Sequence, residues 1–528
     1  MEKNKEFSDF NLPACAVEYI KLVVKKMKWR KSVRADVQAE LIGHFEDAIR
    51  DCKTNEEKEK KAKELIENFG DAKLIANLAR RAKKRCRPMW VKALIVTAQI
   101  IGIIILFIII RSLPMYIGSP TISVNYAEWL NEKVRAGRDE SLNAKPFYDK
   151  AISTFVEQPK WLQEIKTHWP GDFNEQQLGE FKIWYDKNKD SFEALRQGSA
   201  KPAYWNIYDT NEPNMLAVLE PMMKHLGGFR RIAQNIWWKV KYDIYNNDFN
   251  SATAGVIALI KLGQQMHGQG TLVEQLVGIS IEAMGIGSIF ENRNAVQWPE
   301  EKLREIQIQL EQYVNNPVIT LDSEKAFMYD YIQQSFTDDG HGNGRILKKG
   351  IPIAFDNWQE LVKDFFITGF PDRQQTIEKI ESLYELSEQR FSKTLFELKN
   401  EPLDKPLEHS EKNPFLLATQ VSLANKKLIE LTWRLKTERD GQITTIAIVR
   451  YHKQTGKYPD SLEELLNKGF IKRIPFDAYK NGEMTYKKIG DSFTLYSFSN
   501  NFKDDSGDDT FGKWKDKGDT VFWPVKTK

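Results

Sequence analysis

The residues best suited to chemistry in this 528-residue chain lie in one glycine-rich segment, FTDDGHGNGR, at positions 336–345. Asp338, Asp339 and His341 belong to the residue types that bind metal ions or transfer protons, and the glycines permit a tight turn. The segment lacks the strand–loop–helix context and the Gly-Lys-Ser/Thr sequence of a phosphate-binding loop. It therefore predicts a surface turn, with a catalytic or metal site as the alternative.

The familiar catalytic patterns are missing from the rest of the sequence. There is no H-E-x-x-H, no G-x-S-x-G and no P-loop, and the 7 histidines show no metal-ligand spacing. These observations favour a protein that is not an enzyme, and they assign no catalytic or cofactor-binding residue.

Aromatic residues supply a candidate contact surface. Of the 14 tryptophans, 12 follow residue 110. Trp237 and Trp238 are neighbours that cannot both face the core from one helix, so we expect one of them to line a groove. Packing in the core is the usual role of such side chains, and a sugar-stacking platform is the alternative. The predicted contact surface consists of Trp237, Trp238 and His341.

A long apolar segment precedes the elements that carry these residues. Residues 93–110, ALIVTAQIIGIIILFIII, contain no charged side chain. In a helix, 18 residues cover about 27 Å, close to the thickness of the hydrocarbon layer. The uniformly apolar sequence disfavours a buried core helix, and the 92 preceding residues disfavour a cleaved signal peptide. The segment predicts a single transmembrane helix.

The charges beside this segment predict its orientation. Seven Lys and Arg residues lie within 80–92, whereas Arg111 alone follows closely on the other side. The positive-inside rule therefore places the N-terminus in the cytoplasm and the C-terminal part outside the inner (cytoplasmic) membrane. We expect the basic cluster to contact anionic headgroups of the bilayer and expect no nucleic-acid partner.

The net charge of +4 conceals a difference between the two sides. Residues 1–92 carry 23 basic and 15 acidic side chains, whereas the rest carries 54 basic and 58 acidic ones. All 3 cysteines, Cys15, Cys52 and Cys86, precede the span. The outer part therefore contains no disulfide, and the cysteines are expected to be free thiols in a reducing compartment.

Local signals predict several elements. Ser32 is expected to cap the second helix, and Thr271 with Glu274 forms a capping-box pattern. Glycines and alanines spaced through 252–287 predict closely packed helices that resemble helical-hairpin repeats without a steady 34-residue period. Alternating residues predict two strands, at 484–487 and 493–498.

The N-terminal part resembles the small helical domain found at the start of many bacterial membrane proteins, which carries an R-x-D-x-x-x-E-L-x-x-H-x-x-D pattern and a later F/L-G-D/S turn. The matching residues are Arg34, Asp36, Glu40, Leu41, His44, Asp47, Phe69, Gly70 and Asp71. The resemblance implies a protein-binding module with a signalling role.

The C-terminal part resembles the globular head of type II secretion pseudopilins. The matching residues are Tyr451, Gly456, Tyr458, Pro459, Ser461, Leu462, Leu465, Pro475, Asp477, Gly482, Tyr486, Tyr496 and Ser497. Such heads often hold calcium in a following loop, and here that loop supplies Asp504, Asp505, Asp508 and Asp509. Their oxygens suit calcium, although the EF-hand spacing is missing and a solvated acidic turn is the alternative.

The whole chain resembles an uncharacterised family of single-pass membrane proteins of planctomycete-type bacteria. The shared segments are the helical start, the span, PTISVNY, TLVEQLVGI and the pseudopilin-like end. The resemblance implies no activity.

Together these patterns predict a mainly α fold in five regions. Residues 1–87 form a cytoplasmic helical domain, 88–112 the transmembrane helix with its flanks, and 113–145 a stalk. Residues 146–437 form an extracytoplasmic helical domain, and 438–528 a small α+β pseudopilin-like head with an acidic loop. The expected function is a non-enzymatic scaffold of the cell envelope that binds proteins on both sides of the membrane. The alternatives are an envelope enzyme acting on a polymer and a secretion-associated component.

Overall fold

The computed structural model describes residues 11–85, 89–165, 169–290, 297–312, 318–347, 372–401 and 421–524. The chain divides into two compact units, Met1–Arg111 and Ser112–Lys528. Cys86 and Arg87, which belong to the predicted basic flank, lie outside the described residues. The mainly helical fold and the small antiparallel sheet near the C-terminus agree with the sequence prediction.

The first unit consists of short helices around their own core. Its helices are α1 (Ala14–Lys26), α2 (Lys31–Ile49), α3 (Asn55–Phe69), α4 (Ala72–Arg85) and α5 (Met89–Tyr116), the last of which continues past the unit boundary. Tyr19 of α1 stacks on Phe69 with 6.3 Å between ring centroids, and its hydroxyl donates to the Gly70 carbonyl. The turn after α3 is thereby fixed against α1.

The predicted cap of α2 is wrong. This helix begins at Lys31, and Arg30 occupies the capping position without a side-chain hydrogen bond. Ser32 therefore lies inside the first turn. Helix α3 instead has a complete capping box, in which Thr54 and Glu57 satisfy each other's backbone N–H groups.

Helix α5 contains the apolar segment. Within the described residues, it is the one helix long and apolar enough to cross a membrane, over 21 residues from Trp90 to Ile110 with a mean hydropathy of 3.0. None of that segment is buried against the rest of the protein. A core helix of a soluble protein would be mostly buried, so the exposure agrees with a single-pass topology.

The second unit is a larger helical body. Its helices are α6 (Tyr126–Arg135), α7 (Lys145–Thr154), α8 (Lys160–Glu164), α9 (Glu175–Lys187), α10 (Lys189–Ser199), α11 (Met215–Tyr245), α12 (Phe249–Gln265), α13 (Leu272–Gly287), α14 (Glu300–Glu311), α15 (Asp322–Ser335), α16 (Arg373–Ser392), α17 (Leu395–Leu398), α18 (Val421–Thr455) and α19 (Leu462–Asn467). The predicted capping box of Thr271 and Glu274 is present at the start of α13.

A small antiparallel sheet follows α19. Its strands are β1 (Phe476–Asp477), β2 (Gly482–Glu483), β3 (Thr485–Ile489), β4 (Ser492–Ser497) and β5 (Thr520–Trp523), with β1 paired to β2 and the order β3-β4-β5 in the second sheet. Thr485 faces Tyr496, and Leu495 faces Trp523. The two predicted strands correspond to β3 and β4, whereas β5 was not predicted.

Helices α12 and α13 cross very closely. A Cβ on Gly263 would lie 2.6 Å from the backbone nitrogen and from the Cβ of Glu282. A Cβ on Gly278 would lie 2.7 Å from the Cβ of Met266. Real Cβ atoms do not approach so closely, so glycine is required at both positions. This contact fixes the position of Glu282 on α13.

Helix α18 connects the helical body to the sheet. It packs against α13 and α14 of the body and against β4 and β5 of the sheet. Leu435, Ile446, Phe493 and Phe522 belong to one hydrophobic cluster that also includes α11–α14. The domain boundary predicted between residues 437 and 438 thus falls within a continuous helix.

Replacing Gly263 with alanine tests the close crossing. We expect Gly263→Ala to lower the free energy of unfolding by roughly 1–3 kcal/mol, because the added methyl group forces α12 and α13 apart. The measurement is chemical unfolding of the full chain in detergent, followed by tryptophan fluorescence. Gly287→Ala is the matched control: a Cβ there meets nothing within 4 Å, so this variant should be no less stable than the wild type. Equal effects of the two substitutions would contradict the expectation.

Candidate functional site

The two predicted contact tryptophans lie on the second half of α11. Trp238 is buried among Phe173 and Phe181, with ring centroids at 5.8 Å and 6.1 Å. Trp237 is only partly buried, and the Lys241 ammonium lies 3.3 Å from its ring centroid. A cation this close to an indole face stabilises one ring orientation. Of the pair, Trp237 is the side chain that can meet a partner.

His341 lies in an exposed turn away from that pair. Phe336 and Ile346, at the base of the turn, belong to a different hydrophobic cluster from Trp237 and Trp238. The described contacts therefore do not join the three residues of the predicted contact surface into one patch.

The aspartates of this turn act on its own backbone. Asp338 Oδ1 accepts from the N–H groups of Gly340 and Gly342, and these bonds, together with Arg373, lower the pKa of Asp338. Asp339 Oδ1 accepts from His341 N at 2.8 Å. The carboxylates that suggested chemistry thus close the turn.

The acidic C-terminal loop is organised in a similar way. Asp504 Oδ1 accepts from the Tyr496 hydroxyl, and Asp505 Oδ2 accepts from Gly518 N. Asp508 accepts from Thr510, while Gly512 N donates to the carbonyl oxygen of Asp509. Throughout the described ranges, no three His, Cys, Asp or Glu side chains are grouped so that they could hold a metal ion.

One further carboxylate bears on the calcium prediction. Asp519 is 1% exposed, and its Oδ1 has no hydrogen-bond partner within the described structure. Burial, together with the nearby charges of Asp505 and Asp504, raises the pKa of Asp519 to about 6. A cation would relieve this repulsion. Calcium at Asp504, Asp505, Asp508 and Asp509 stays a prediction.

Several deeply buried charged and polar side chains form a network that the sequence did not reveal. Arg439 of α18 donates from Nε and Nη2 to the two carboxylate oxygens of Glu282 on α13, both at 2.9 Å. The side chains are 2% and 0% exposed. Gln264 of α12 donates to Glu282 at 3.1 Å and accepts from Gln309 of α14. Three helices therefore meet at one carboxylate, and α14 joins the network through Gln264.

His267 adjoins this network. Its Nδ1 lies 3.4 Å from Glu282 Oε2. Burial, assisted by the Arg439 charge and opposed by Glu282, lowers the pKa of His267 to about 4. The imidazole is therefore neutral at pH 7, and Arg439 is the cation that balances Glu282.

More polar contacts attach α18 and the segment before the sheet to the body. Arg450 donates to Glu300 at 2.7 Å and to Gln307 at 2.8 Å, both on α14. Arg473 donates to both oxygens of Asp440 on α18, at 2.6 Å and 2.8 Å. These contacts position α18 and do not form a reactive centre.

Comparison with protein-family models, with curated proteins and with solved structures gives no match to this chain. The functional argument therefore rests on the residues and their geometry.

Breaking the buried ion pair tests its structural role. We expect Glu282→Gln to lower the free energy of unfolding by about 3–5 kcal/mol, because the Arg439 charge then stays buried without compensation. Chemical unfolding of the full chain is the measurement. The double variant Glu282→Met/Arg439→Met removes both charges and should recover most of the loss.

The matched control is the pair of Lys302 and Glu305, which are 2.7 Å apart on α14 and whose side chains are 19% and 48% exposed. Glu305→Gln should change the free energy of unfolding by less than about 1 kcal/mol. A Glu282→Gln variant as stable as this control would show that the buried pair is not needed.

Proposed function

We propose that this chain is a non-enzymatic interaction protein, anchored in a bacterial inner membrane by α5, that binds protein partners on both sides. The observation that carries the proposal is the exposed apolar segment Trp90–Ile110, which finds no partner surface within the described protein. The basic residues within 80–92 support a cytoplasmic N-terminus. The helical bundle α1–α4 would then bind a partner inside, and the helical body a partner outside.

Trp237 is the residue we propose for the outer contact. A partly exposed indole offers apolar area at the surface, which is typical of residues that dominate protein interfaces, and the buried Lys241 ammonium holds the ring in one orientation. His341 offers a second exposed position on the same unit. The alternative of an envelope enzyme has less support, because Asp338 and Asp339 are occupied in closing their own turn.

We propose that the first unit is a signalling-type helical module and that residues 438–528 form a pseudopilin-like head. The long helix α18 running into an antiparallel sheet supports the second of these proposals. A secretion-associated role would follow from it.

Cysteine labelling in intact cells tests the topology. We expect a membrane-impermeant maleimide to react with an Asp190→Cys variant, because the exposed start of α10 would lie outside the membrane. The native Cys15 and Cys52 should react only after the cells are permeabilised. Labelling is read as a mass shift of the purified chain. Reaction of the native cysteines in intact cells, with protection at position 190, would reverse the proposed orientation.

Photo-cross-linking in cells tests the outer contact. We expect a photoreactive phenylalanine analogue at position 237 to give a discrete cross-linked product, because this side chain would lie in an interface. The same analogue at Ile489, which is 58% exposed at the end of β3, is the control and should give none. Gel mobility and mass spectrometry identify the product.

Two outcomes would count against the outer contact. One is the absence of any product at 237, and the other is equal reaction at 237 and 489. Trp237→Ala should abolish co-purification of the cross-linked partner.

A further inference from the structure

A cavity of about 380 Å³ lies between α18 and the segment that leads into β1. This volume lies within the range of pockets that hold small organic molecules. Trp433, Lys436 and Thr437 of α18 line it on one side, and Arg473 and Phe476 line it on the other. We call it the junction cavity, because it lies where the helical body meets the sheet.

Lys436 is the positively charged residue of the junction cavity for which the described residues provide no paired carboxylate. Arg439 is paired with Glu282, and Arg473 is paired with Asp440. Within the described residues, Lys436 has no carboxylate at ion-pair distance; its close neighbour is the Trp433 ring, whose centroid lies 4.6 Å from Nζ. Burial and the Arg439 charge lower the pKa of Lys436 and outweigh the opposing charge of Asp440, which also lines the cavity and is paired with Arg473. A partly desolvated ammonium without a counterion costs stability unless an anion joins it.

The hydroxyl of the next residue, Thr437, also lacks a hydrogen-bond partner among the described residues. Thr437 is 1% exposed, and its Oγ1 has no hydrogen-bond partner among the described residues. Two other threonines of α18, Thr444 and Thr445, donate to carbonyl groups one turn earlier, each at 2.8 Å. Thr437 does not use this common solution, and neither does Thr432, but of these two residues only Thr437 lines the cavity. Its oxygen is itself buried, so a bound molecule would accept from this hydroxyl after a small shift of the cavity wall.

The cavity also has aromatic walls. The ring centroids of Trp433 and Phe476 are 6.4 Å apart with the planes inclined by 52°. The Trp433 indole N–H donates to the Lys393 carbonyl at 2.8 Å, which fixes the orientation of the ring. A flat or apolar group would pack against these faces.

We propose that the junction cavity binds a small organic anion, with a phosphate or carboxylate group at Lys436 and Thr437 and an apolar or aromatic part against Trp433 and Phe476. Asp440 does not oppose such a ligand, because Arg473 neutralises it at 2.6 Å and 2.8 Å and Phe476 N donates to it. A phosphate or carboxylate supplies the charge that Lys436 lacks and the acceptor that Thr437 lacks.

The proposal does not depend on the protein–protein contacts proposed above. Because α18 and the segment before β1 both line the cavity, a bound anion would stabilise the contact between the body and the sheet.

Calorimetric titration of the full chain in nanodiscs of neutral lipid tests the site. The probes are phenyl phosphate and benzoate, with inorganic phosphate and phenol as controls that each lack one half of the ligand. We expect at least one aromatic anion to bind at least tenfold more tightly than either control and to raise the unfolding temperature. Failure of both aromatic anions to bind the wild-type chain would overturn the proposal.

Lys436→Met separates binding from folding. We expect this variant to keep or exceed the unfolding temperature of the unliganded wild type, because it removes a partly desolvated charge, and to lose at least tenfold in affinity for the aromatic anion. Lys427→Met is the matched control on the same helix, where the lysine is 66% exposed and paired with Glu430, and it should bind like the wild type. Unchanged binding by Lys436→Met, or a marked fall in its unfolding temperature, would show that Lys436 has a structural role only.

Thr437→Val and Trp433→Leu examine the two halves of the site. The first should weaken all anionic probes and leave the preference for aromatic anions intact. The second should reduce that preference and leave inorganic phosphate unaffected. The reverse pattern would contradict the assigned orientation of the ligand.

Discussion

The arrangement of the larger unit depends on one buried carboxylate, Glu282. Its charge is balanced by Arg439, which lies 157 positions away in sequence and reaches it from α18 with two bonds of 2.9 Å. Such a pair is stable only with accurate geometry, since removing two charges from water costs several kcal/mol per ion. Gly263 supplies that geometry, because α12 can approach the backbone of Glu282 only without a side chain at this position. The close packing of α12 on α13 and the pairing of Glu282 with Arg439 therefore depend on each other.

The position of the sheet follows from the same constraint. Once Arg439 is bound to Glu282, the next two residues of α18 face the C-terminal segment. Asp440 binds Arg473, and Gly441 lets the Phe522 ring approach until an added Cβ would lie 2.7 Å from it. The sheet is thus placed through contacts within a single turn of α18, and the junction cavity lies beside that turn.

Sequence reasoning succeeded where the signal was local. The apolar segment of α5, the capping box of Thr271 and Glu274, and strands β3 and β4 each depend on residues within a few positions of one another. It missed β5, because the long loop after β4 hides the pairing of Leu495 with Trp523. It also missed the pair of Glu282 and Arg439, since single charges in two helical patterns carry no information about which will meet. Ser32 was misassigned because a serine with suitable neighbours resembles a cap even one position inside a helix.

The candidate sites show the same difference between local signals and contacts that form only in the folded protein. Residue type alone marked the aspartates of the 338–339 turn and of the C-terminal loop, yet most of these side chains satisfy nearby backbone groups, which is the common role of aspartate in turns.

Lys436 carried no such signal, because a lysine in a helix is ordinarily solvated. Its distinction arises from burial: α18 contacts other elements on several sides, so many of its polar side chains bind partners within the protein. Arg439, Asp440, Thr444, Thr445 and Arg450 all do so. Lys436 and Thr437 are adjacent, line the same cavity, and lack such partners within the described structure. Thr432 and Gln442 of α18 also hold buried polar atoms without a partner in the described structure, but neither lines this cavity. An unpartnered charge and an unpartnered hydroxyl at adjacent positions on one cavity wall point to a ligand more strongly than a cluster of charges on the surface.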